Sequence, residues 1–159
     1  MDGQFNLTNM KQTISKAAEI QVSYHPNNTI KPVIRNSDEA LFHLLKFFPE
    51  ATISLQERFV VGYLNRANRL IGVYEVSKGG ITGTLVDIRL VISVALKVAA
   101  TSILLAHNHP SGNTQPSESD KDLTGKIKEA CKLFDINVLD HMILVAGGTC
   151  FSFAEDGLL

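Results

Sequence analysis

The chain has 159 residues, of which 45% are apolar and 19% are charged, and its formal net charge is -1. These values are typical of one globular domain with its own core, and they lack the basic surplus of a dedicated nucleic-acid-binding protein. Because no apolar run approaches the roughly 20 residues of a membrane-spanning helix and the first residues do not resemble a signal peptide, we expect a cytoplasmic protein without membrane contact.

Residues 1–30 are predicted to form a polar arm that precedes a domain at residues 31–159. A short helix is expected at Met10–Ala18, and the alternating pattern of Ile20–Tyr24 favours a strand. His25 falls among the chain-breaking residues that follow, which predicts a solvent-facing loop position.

The first helix of the domain is predicted to begin with Ser37 as its N-cap and to stop before Pro49. One side of this helix is apolar, as expected for a helix packed on a core. His43 lies off that side and is not expected to bind metal or take part in catalysis. The apolar side consists of Ala40, Leu41, Leu44, Leu45 and Phe48.

Two segments rich in β-branched and aromatic residues, Ile53–Leu64 and Arg69–Val76, are predicted to form a hairpin around the turn Asn65–Asn68. Because the first segment is apolar on both faces, we expect a central strand that is covered on both sides. Glu57 stands at its start, and a carboxylate at the mouth of a buried strand requires a partner or a function. A second turn is expected at Ser77–Gly80.

The apolar segment Asp87–Ala100 is predicted to be a helix. Arg89, Ser93 and Lys97 recur every four residues and leave one polar stripe on an otherwise buried surface. A short apolar run then predicts a buried strand at Ser102–His109.

A second amphipathic helix is predicted from Ser117 to Phe134, and strands at Asn137–Val145 and Thr149–Phe153 close the chain. Helices that alternate with strands, together with the early hairpin, predict an α/β (α+β) fold with a mixed β-sheet flanked by helices. The core side of the helix is predicted to consist of Leu123, Ile127, Ala130, Cys131 and Phe134.

The chain contains two cysteines, Cys131 and Cys150. Neither belongs to a Cys-x-x-Cys pair, which argues against a thiolate zinc site. Both are expected to be small core residues.

The strand Ser102–His109 ends in two histidines one residue apart, His107 and His109. Strand side chains alternate, so both rings are expected on one face, with Cα atoms about 6.6 Å apart and within reach of one ion. Pro110 keeps His109 extended, and Asp120 is expected at the positive end of the next helix, which favours the ionised carboxylate. The sequence therefore predicts a metal site of two histidines and one aspartate.

Two simpler interpretations compete with this site. A His-x-His pair also arises by chance, and Ser117 with Asp120 has the spacing of a helix capping box. We expect the cap and the metal site to coexist, with Ser117 starting the helix and Asp120 leaning toward the ion.

Three protein ligands leave a fourth position open, which is typical of catalytic rather than structural zinc, although iron and manganese accept the same ligands. Hydrolysis at such a site needs a base that does not bind the metal. Glu57 is the candidate, with Glu118 and Glu75 as rivals. Ser117 is a candidate donor to a developing oxyanion, and its capping role competes.

The sequence His107-Asn108-His109-Pro110 followed by Ser117-x-x-Asp120 resembles the JAMM signature of the JAB/MPN metalloproteases. Further segments, spread over residues 30–159, resemble the RadC-like bacterial branch of that family. They are Glu57-Arg58-Phe59-Val60-Val61, Leu64-Asn65-Arg66-Ala67-Asn68, Gly80-x-x-Gly83-Thr84, residues 106–112, Pro116-Ser117-x-x-Asp120, Asp140-His141 and residues 152–159.

The resemblance implies a cytidine-deaminase-like JAB/MPN fold and a role for each of five residues. These roles are zinc ligation by His107, His109 and Asp120, acid and base catalysis by Glu57, and oxyanion stabilisation by Ser117. The matching residues include Asp140 and His141, which we expect to support the metal ligands, with His141 as a hydrogen-bonded partner.

The first functional hypothesis is a zinc-dependent hydrolase that cleaves peptide or isopeptide bonds in a peptide or protein substrate. The alternative is a DNA repair or DNA-processing accessory protein without peptidase activity, which predicts salt-sensitive DNA binding. Full-length RadC proteins carry an N-terminal helix-hairpin-helix region associated with DNA binding. Residues 1–30 leave no room for one, so we expect it to be absent.

Overall fold

The computed structural model describes residues 23–27, 29–80 and 85–159. The predicted helix Met10–Ala18 and most of the predicted strand Ile20–Tyr24 lie outside the described residues. The two described members of that strand, Ser23 and Tyr24, have no regular secondary structure, and His25 is exposed as predicted. The division into an arm and a domain stays a prediction.

Helices and strands alternate through the described part of the chain. In order, they are α1 (Ser37–Leu44), a 3-10 turn (Leu45–Phe47), α2 (Glu50–Ile53), β1 (Arg58–Leu64), β2 (Leu70–Lys78), α3 (Ile88–Lys97), β3 (Ser102–Asn108), α4 (Glu118–Lys132), β4 (Asn137–Leu144) and β5 (Cys150–Ser152). None of the described helices is long and apolar enough to cross a bilayer.

The five described strands form one sheet in the order β2-β1-β3-β4-β5. β3 and β4 are parallel, and the other neighbouring pairs are antiparallel. The parallel pair needs a crossover connection, and α4 provides it. The mixed sheet confirms the predicted α/β fold class, and β1 is a central strand as expected.

Two hydrophobic clusters cover the two faces of the sheet, because successive side chains of a strand point to opposite faces. On one face, Phe59, Val61 and Leu105 pack against α3 and α4. On the other, Val60 and Leu104 pack against α1 and the segment that contains α2. We call these the α3/α4 face and the α1 face.

The start of the first strand differs from the sequence-based expectation. Glu50–Ile53 is a short helix, and β1 begins only at Arg58. Pro49 precedes the helix with φ of -58°, a value that suits helix entry, and Ile53 is buried against the α1 face. The tertiary contact of Ile53 therefore overrides its strand propensity.

The expected turn at Ser77–Gly80 begins two residues late, since Ser77 and Lys78 still pair with β1. The N-cap of α1 is Asn36, whose side chain accepts a hydrogen bond from the Glu39 amide at 2.9 Å. Ser37, predicted as the cap, is the first helical residue instead.

The predicted polar stripe of α3 is exposed, but Leu90 and Leu96 are exposed beside it, at 41% and 52%. The helix is thus half-covered rather than otherwise buried. Phe134, assigned to the core side of α4, lies beyond the end of that helix and is 47% exposed.

The two cysteines differ in burial and form no disulfide. Cys131 is fully buried in the α3/α4 cluster, as predicted. Cys150 is only partly buried and packs at the border of the α1-face cluster.

Candidate metal centre

The two histidines converge because β3 ends between them. His107 is on the α3/α4 face and is 1% exposed, while His109 follows the last residue of the strand. The His109 amide still donates to the Leu144 carbonyl at 2.9 Å, which keeps His109 aligned with β4. The two Nε2 atoms are 2.9 Å apart. The convergence predicted from the one-residue spacing is therefore present.

Asp120 completes a cluster of three side chains from the first turn of α4. Its Oδ1 lies 3.2 Å from His107 Nε2, and its Oδ2 lies 3.5 Å from His109 Nε2. Among the described residues, these three form a group whose possible ligand atoms lie within 4.8 Å of one another. The group is a possible metal-binding triad.

Ser117 caps α4 on the same carboxylate. Asp120 Oδ2 accepts hydrogen bonds from the Ser117 amide at 2.7 Å and from its hydroxyl at 2.6 Å. The Asp120 amide donates to Ser117 Oγ at 3.2 Å, which completes a capping box. The cap and the triad thus coexist, with Oδ2 held by Ser117 and Oδ1 turned toward His107.

A chain of hydrogen bonds assigns the hydrogens of the His107 ring. The Thr124 hydroxyl donates to the Asp120 carbonyl at 2.6 Å, and a carbonyl can only accept. Thr124 Oγ1 must therefore accept from His141 Nδ1, which lies 2.6 Å away. His141 is completely buried, and this burial, followed by the proximity of His107, holds its pKa well below the usual range, so the ring is neutral.

A neutral His141 with a hydrogen on Nδ1 has an acceptor at Nε2. His107 Nδ1, at 2.8 Å, then donates to it. In the neutral His107 ring, Nε2 is left without a hydrogen and faces the other two members of the triad. This is the arrangement in which a buried partner fixes the tautomer of a metal-binding histidine.

His109 is prepared in the same way by a different partner. Its Nδ1 lies 2.7 Å from the Asn113 carbonyl, which can only accept, so Nδ1 carries a hydrogen. The neutral ring then presents the lone pair of Nε2. Asn113 belongs to the loop between β3 and α4, so this loop also orients a member of the triad.

The donor set fits a divalent cation. Two ring nitrogens and a carboxylate oxygen lie within 4.8 Å of one another, and a divalent cation accepts such ligands. In the absence of metal, a hydrogen bond with Asp120 raises the pKa of His109, against the effect of burial. Burial alone would raise the pKa of Asp120, but when the rings of His107 and His109 are protonated at Nε2, hydrogen bonds with them and with Ser117 hold it far below its usual range.

Glu57 lies one residue before β1 and on the same face as Phe59 and His107. It shares an open cleft of about 500 Å³ with the triad and Ser117. Burial raises the pKa of the Glu57 carboxyl, and the charges that His107 and His109 carry when protonated lower it in part. The structure therefore brings all five residues of the predicted site to one cleft.

Residues 34–158 match the family model of the RadC-like JAB domain. The chain belongs to this family. The five-stranded mixed sheet with flanking helices is consistent with the JAB-like α/β fold.

Curated relatives of this RadC-like JAB domain carry the name UPF0758 protein, which states no activity. PSHAa2643 of Pseudoalteromonas translucida is 42% identical over 141 residues, which is 89% of this chain and 62% of the relative. YfjY of Escherichia coli K12 is 46% identical over 104 residues, 65% of this chain and 64% of the relative. A Flavobacterium johnsoniae protein is 45% identical over 102 residues, 64% of this chain and 44% of the relative. The chain thus spans about half to two thirds of the length of these relatives.

The two rival carboxylates of Glu57 are engaged elsewhere. Glu75 forms an ion pair with Arg58 at the edge of the sheet. Glu118 pairs with Lys121 at 2.6 Å and is exposed on α4. Neither residue lines the cleft.

Asp140 is not brought to the metal side. It precedes His141 on β4, and neighbouring strand residues point to opposite faces, so its carboxylate lies on the α1 face. There it accepts hydrogen bonds from the hydroxyls of Ser37 at 3.2 Å and Ser152 at 2.7 Å, and from the amides of His141 at 2.7 Å and Ala154 at 3.0 Å. Asp140 joins α1 to the C-terminal segment, whereas His141 makes a hydrogen bond with His107 of the triad.

Sequence reasoning missed two buried polar residues, Thr124 and Asn108. Each had a detectable signal. Thr124 is a hydroxyl residue on the core side of an amphipathic helix, four residues after Asp120 and three before Ile127. Asn108 is a polar residue inside a buried strand, between the two histidines. A buried polar group needs a partner, but the identity of the partner depends on the tertiary fold.

Proposed function

We propose that this RadC-like JAB domain is a zinc-dependent hydrolase of peptide or isopeptide bonds. One observation carries the proposal: two imidazole lone pairs, one carboxylate and a separate glutamate line the same open cleft. Three protein ligands with one position left for water or substrate are typical of catalytic rather than structural zinc. Bound there, zinc would act as a Lewis acid toward the scissile carbonyl.

Glu57 is proposed as the group that moves the proton. It takes a proton from the attacking water and passes it to the leaving amine, which requires a carboxyl group beside the triad that is not itself a ligand. Its position one residue before β1, on the face of His107, meets that requirement.

Ser117 is proposed as a hydrogen-bond donor to the oxyanion. Its hydroxyl is engaged with Asp120 Oδ2, but the Ser117 amide holds the same oxygen at 2.7 Å. The hydroxyl can therefore rotate toward a substrate carbonyl while Oδ2 keeps a donor. Such a donor typically contributes about 3 kcal/mol to a transition state.

The lining of the cleft is compatible with a peptide chain as substrate. The cleft is open to solvent, and beside the polar residues its wall includes the apolar side chains of Leu85, Val86 and Leu123. A peptide backbone can place a carbonyl at the triad while one side chain packs on this wall. This arrangement supports a peptide or protein substrate.

The test compares two variants on a mixture of quenched fluorogenic peptides with zinc supplied in excess. Glu57→Gln is expected to keep one equivalent of metal and lose hydrolysis, whereas His107→Ala is expected to lose both. Full turnover by Glu57→Gln would show that the base is another residue. DNA binding that persists at physiological salt and after metal removal would instead favour the accessory role.

A further inference from the structure

Asn108 occupies the position between the two histidines and points to the opposite face of β3. It is 0% exposed, in a strand that is buried along its length. Its amide makes three hydrogen bonds, and all three go to the backbone of one segment, residues 53–58. This segment is the one that carries Glu57.

The three contacts use the whole amide group. Asn108 Oδ1 accepts from the Arg58 amide at 2.8 Å, and Nδ2 donates to the carbonyls of Ile53 at 2.7 Å and Gln56 at 2.9 Å. One acceptor faces an N–H and two donors face carbonyls, so the orientation of the amide is unambiguous. An aspartate lacks the donors, and a serine lacks the reach.

The contacts of Asn108 add to the backbone hydrogen bonds of a segment that lies between a helix and a strand. α2 ends at Ile53, and β1 begins at Arg58. Between them, Glu57 has its own backbone contacts with Gly79 at 2.8 Å and with Gly80 at 3.5 Å. Asn108 holds the residues immediately before and after Glu57, so it fixes the place from which the Glu57 side chain projects.

We propose that Asn108 is a positioning residue that sets the location of Glu57 relative to the metal ligands. The inference rests on the proposed function. One tripeptide serves both halves of the site: its outer residues supply two ligands on one face, and its middle residue holds the base segment from the other. Any shift of the end of β3 then moves the ligands and Glu57 together.

The experiment uses the full chain loaded with Co²⁺ and follows the visible Co²⁺ absorption from pH 5 to pH 9. The pH at which half of the absorption change has occurred, here called the midpoint, reports the charges around the ion. Glu57→Gln removes a neighbouring negative charge and is expected to lower the midpoint by about 1 pH unit. Asn108→Ala is expected to move the midpoint at least half as far in the same direction, with the Co²⁺ stoichiometry unchanged.

The double variant Asn108→Ala/Glu57→Gln distinguishes positioning from general damage. If Asn108 acts through Glu57, the double variant has the midpoint of Glu57→Gln alone. Leu104→Ala is the matched control, because Leu104 is buried on the same face of β3 and makes none of the hydrogen bonds to residues 53–58. It is expected to lower stability and leave the midpoint in place.

Two further measurements keep the test decisive. Hydrogen exchange of the Arg58 amide should accelerate in Asn108→Ala and not in Leu104→Ala. If Asn108→Ala fails to fold, Asn108→Ser is measured instead, and its midpoint should lie between those of the wild type and Glu57→Gln.

The outcomes separate the inference from the function on which it rests. An unchanged midpoint in the Asn108 variants, or additive shifts in the double variant, overturns the positioning role while Glu57 keeps its place. If Glu57→Gln itself leaves the midpoint unchanged, Glu57 does not act beside the ion, and both the base assignment and the positioning role fail.

Discussion

Asp140 and His141 are neighbours on β4, yet their side chains lie on opposite faces of the sheet in different chemical situations. The Asp140 carboxylate accepts four hydrogen bonds from its surroundings. The hydrogen bonds of His141 lead instead to His107, whose Nε2 faces the nitrogen and oxygen atoms of His109 and Asp120. The first cluster is complete within the protein, while the second contains a possible metal-binding triad.

Asp140 is a buried polar group with a structural role, whereas the polar groups of the triad have a proposed functional role. A buried charge stabilises a fold only when its partners compensate its lost hydration. On the α1 face, serine hydroxyls and backbone amides supply that compensation. On the α3/α4 face, the three members of the triad line an open cleft, where a bound cation would compensate the charge of Asp120. Four predictions test this difference, in order of expected effect.

The largest effect is expected from Asp120→Ala, which removes one of three ligands. Metal affinity should fall by at least about 1,000-fold, since a two-histidine remnant lacks the charge that holds the ion. The loss of affinity is measured by the metal content after dialysis and by competition with a chelator. Asp120→Asn is the matched control for the helix cap: it keeps an acceptor for Ser117 and should lose metal but not helix stability. Equal metal content in wild type and Asp120→Ala would rule out the proposed metal site.

The next effect is expected from Asp140→Ala on the opposite face. Two hydroxyls and two amides lose their acceptor, which should lower the free energy of unfolding by about 3 kcal/mol. Urea denaturation measures the loss. Metal affinity should stay within about 3-fold of wild type, because the carboxylate lies behind the sheet. A large loss of affinity in the folded variant would contradict the division between the faces.

A smaller effect is expected from Thr124→Val, which keeps the shape and removes the hydroxyl. His141 then loses the partner that fixes its tautomer, and metal affinity should fall by about 10-fold, as is typical for partners of ligating histidines. Nitrogen NMR shifts of the His107 and His141 rings should show mixed tautomers. Thr124→Ser keeps a hydroxyl at this position and should show the metal affinity and the ring shifts of the wild type. Unchanged ring shifts in Thr124→Val would contradict the proposed chain of hydrogen bonds from Thr124 through His141 to His107.

The smallest effect concerns the two thiols and leaves stability untouched. Cys131 is fully buried, and burial raises its pKa to about 11. Burial, with the charges of Glu155 and Asp140, also raises the pKa of Cys150, which is partly exposed. Ellman's reagent at pH 8 should modify Cys150 slowly and Cys131 only on unfolding, since the thiolate is the reactive form. Two equally fast thiols would contradict the packing of α4.

Much of this site was predictable because it follows from local rules. The one-residue spacing of His107 and His109 fixes a common face, and the capping spacing fixes where Asp120 enters the helix. The periodic patterns of α3 and α4 likewise identified them as helices. Asp140 was expected beside the metal ligands because it precedes His141. Neighbouring residues of a strand point to opposite faces of the sheet, so its side chain lies on the α1 face instead.

The features that the sequence did not predict depend on contacts between distant segments of the chain. The short helix before β1 forms because Ile53 reaches the α1-face cluster, which no local pattern reveals. The roles of Asn108 and Thr124 require knowledge of which backbone atoms they meet, 50 or more residues away in one case and across a helix–strand contact in the other. Sequence marks such residues as polar groups in apolar surroundings and does not name their partners.

The shared use of Asp120 restricts which acid can occupy that position. A capping box accepts glutamate at its third residue, and a glutamate here would still return to the Ser117 amide. Its extra methylene would carry the second oxygen past the point that now lies 3.2 Å from His107. One carbon atom of side-chain length therefore separates a residue that only caps the helix from one that also places a carboxylate oxygen beside His107.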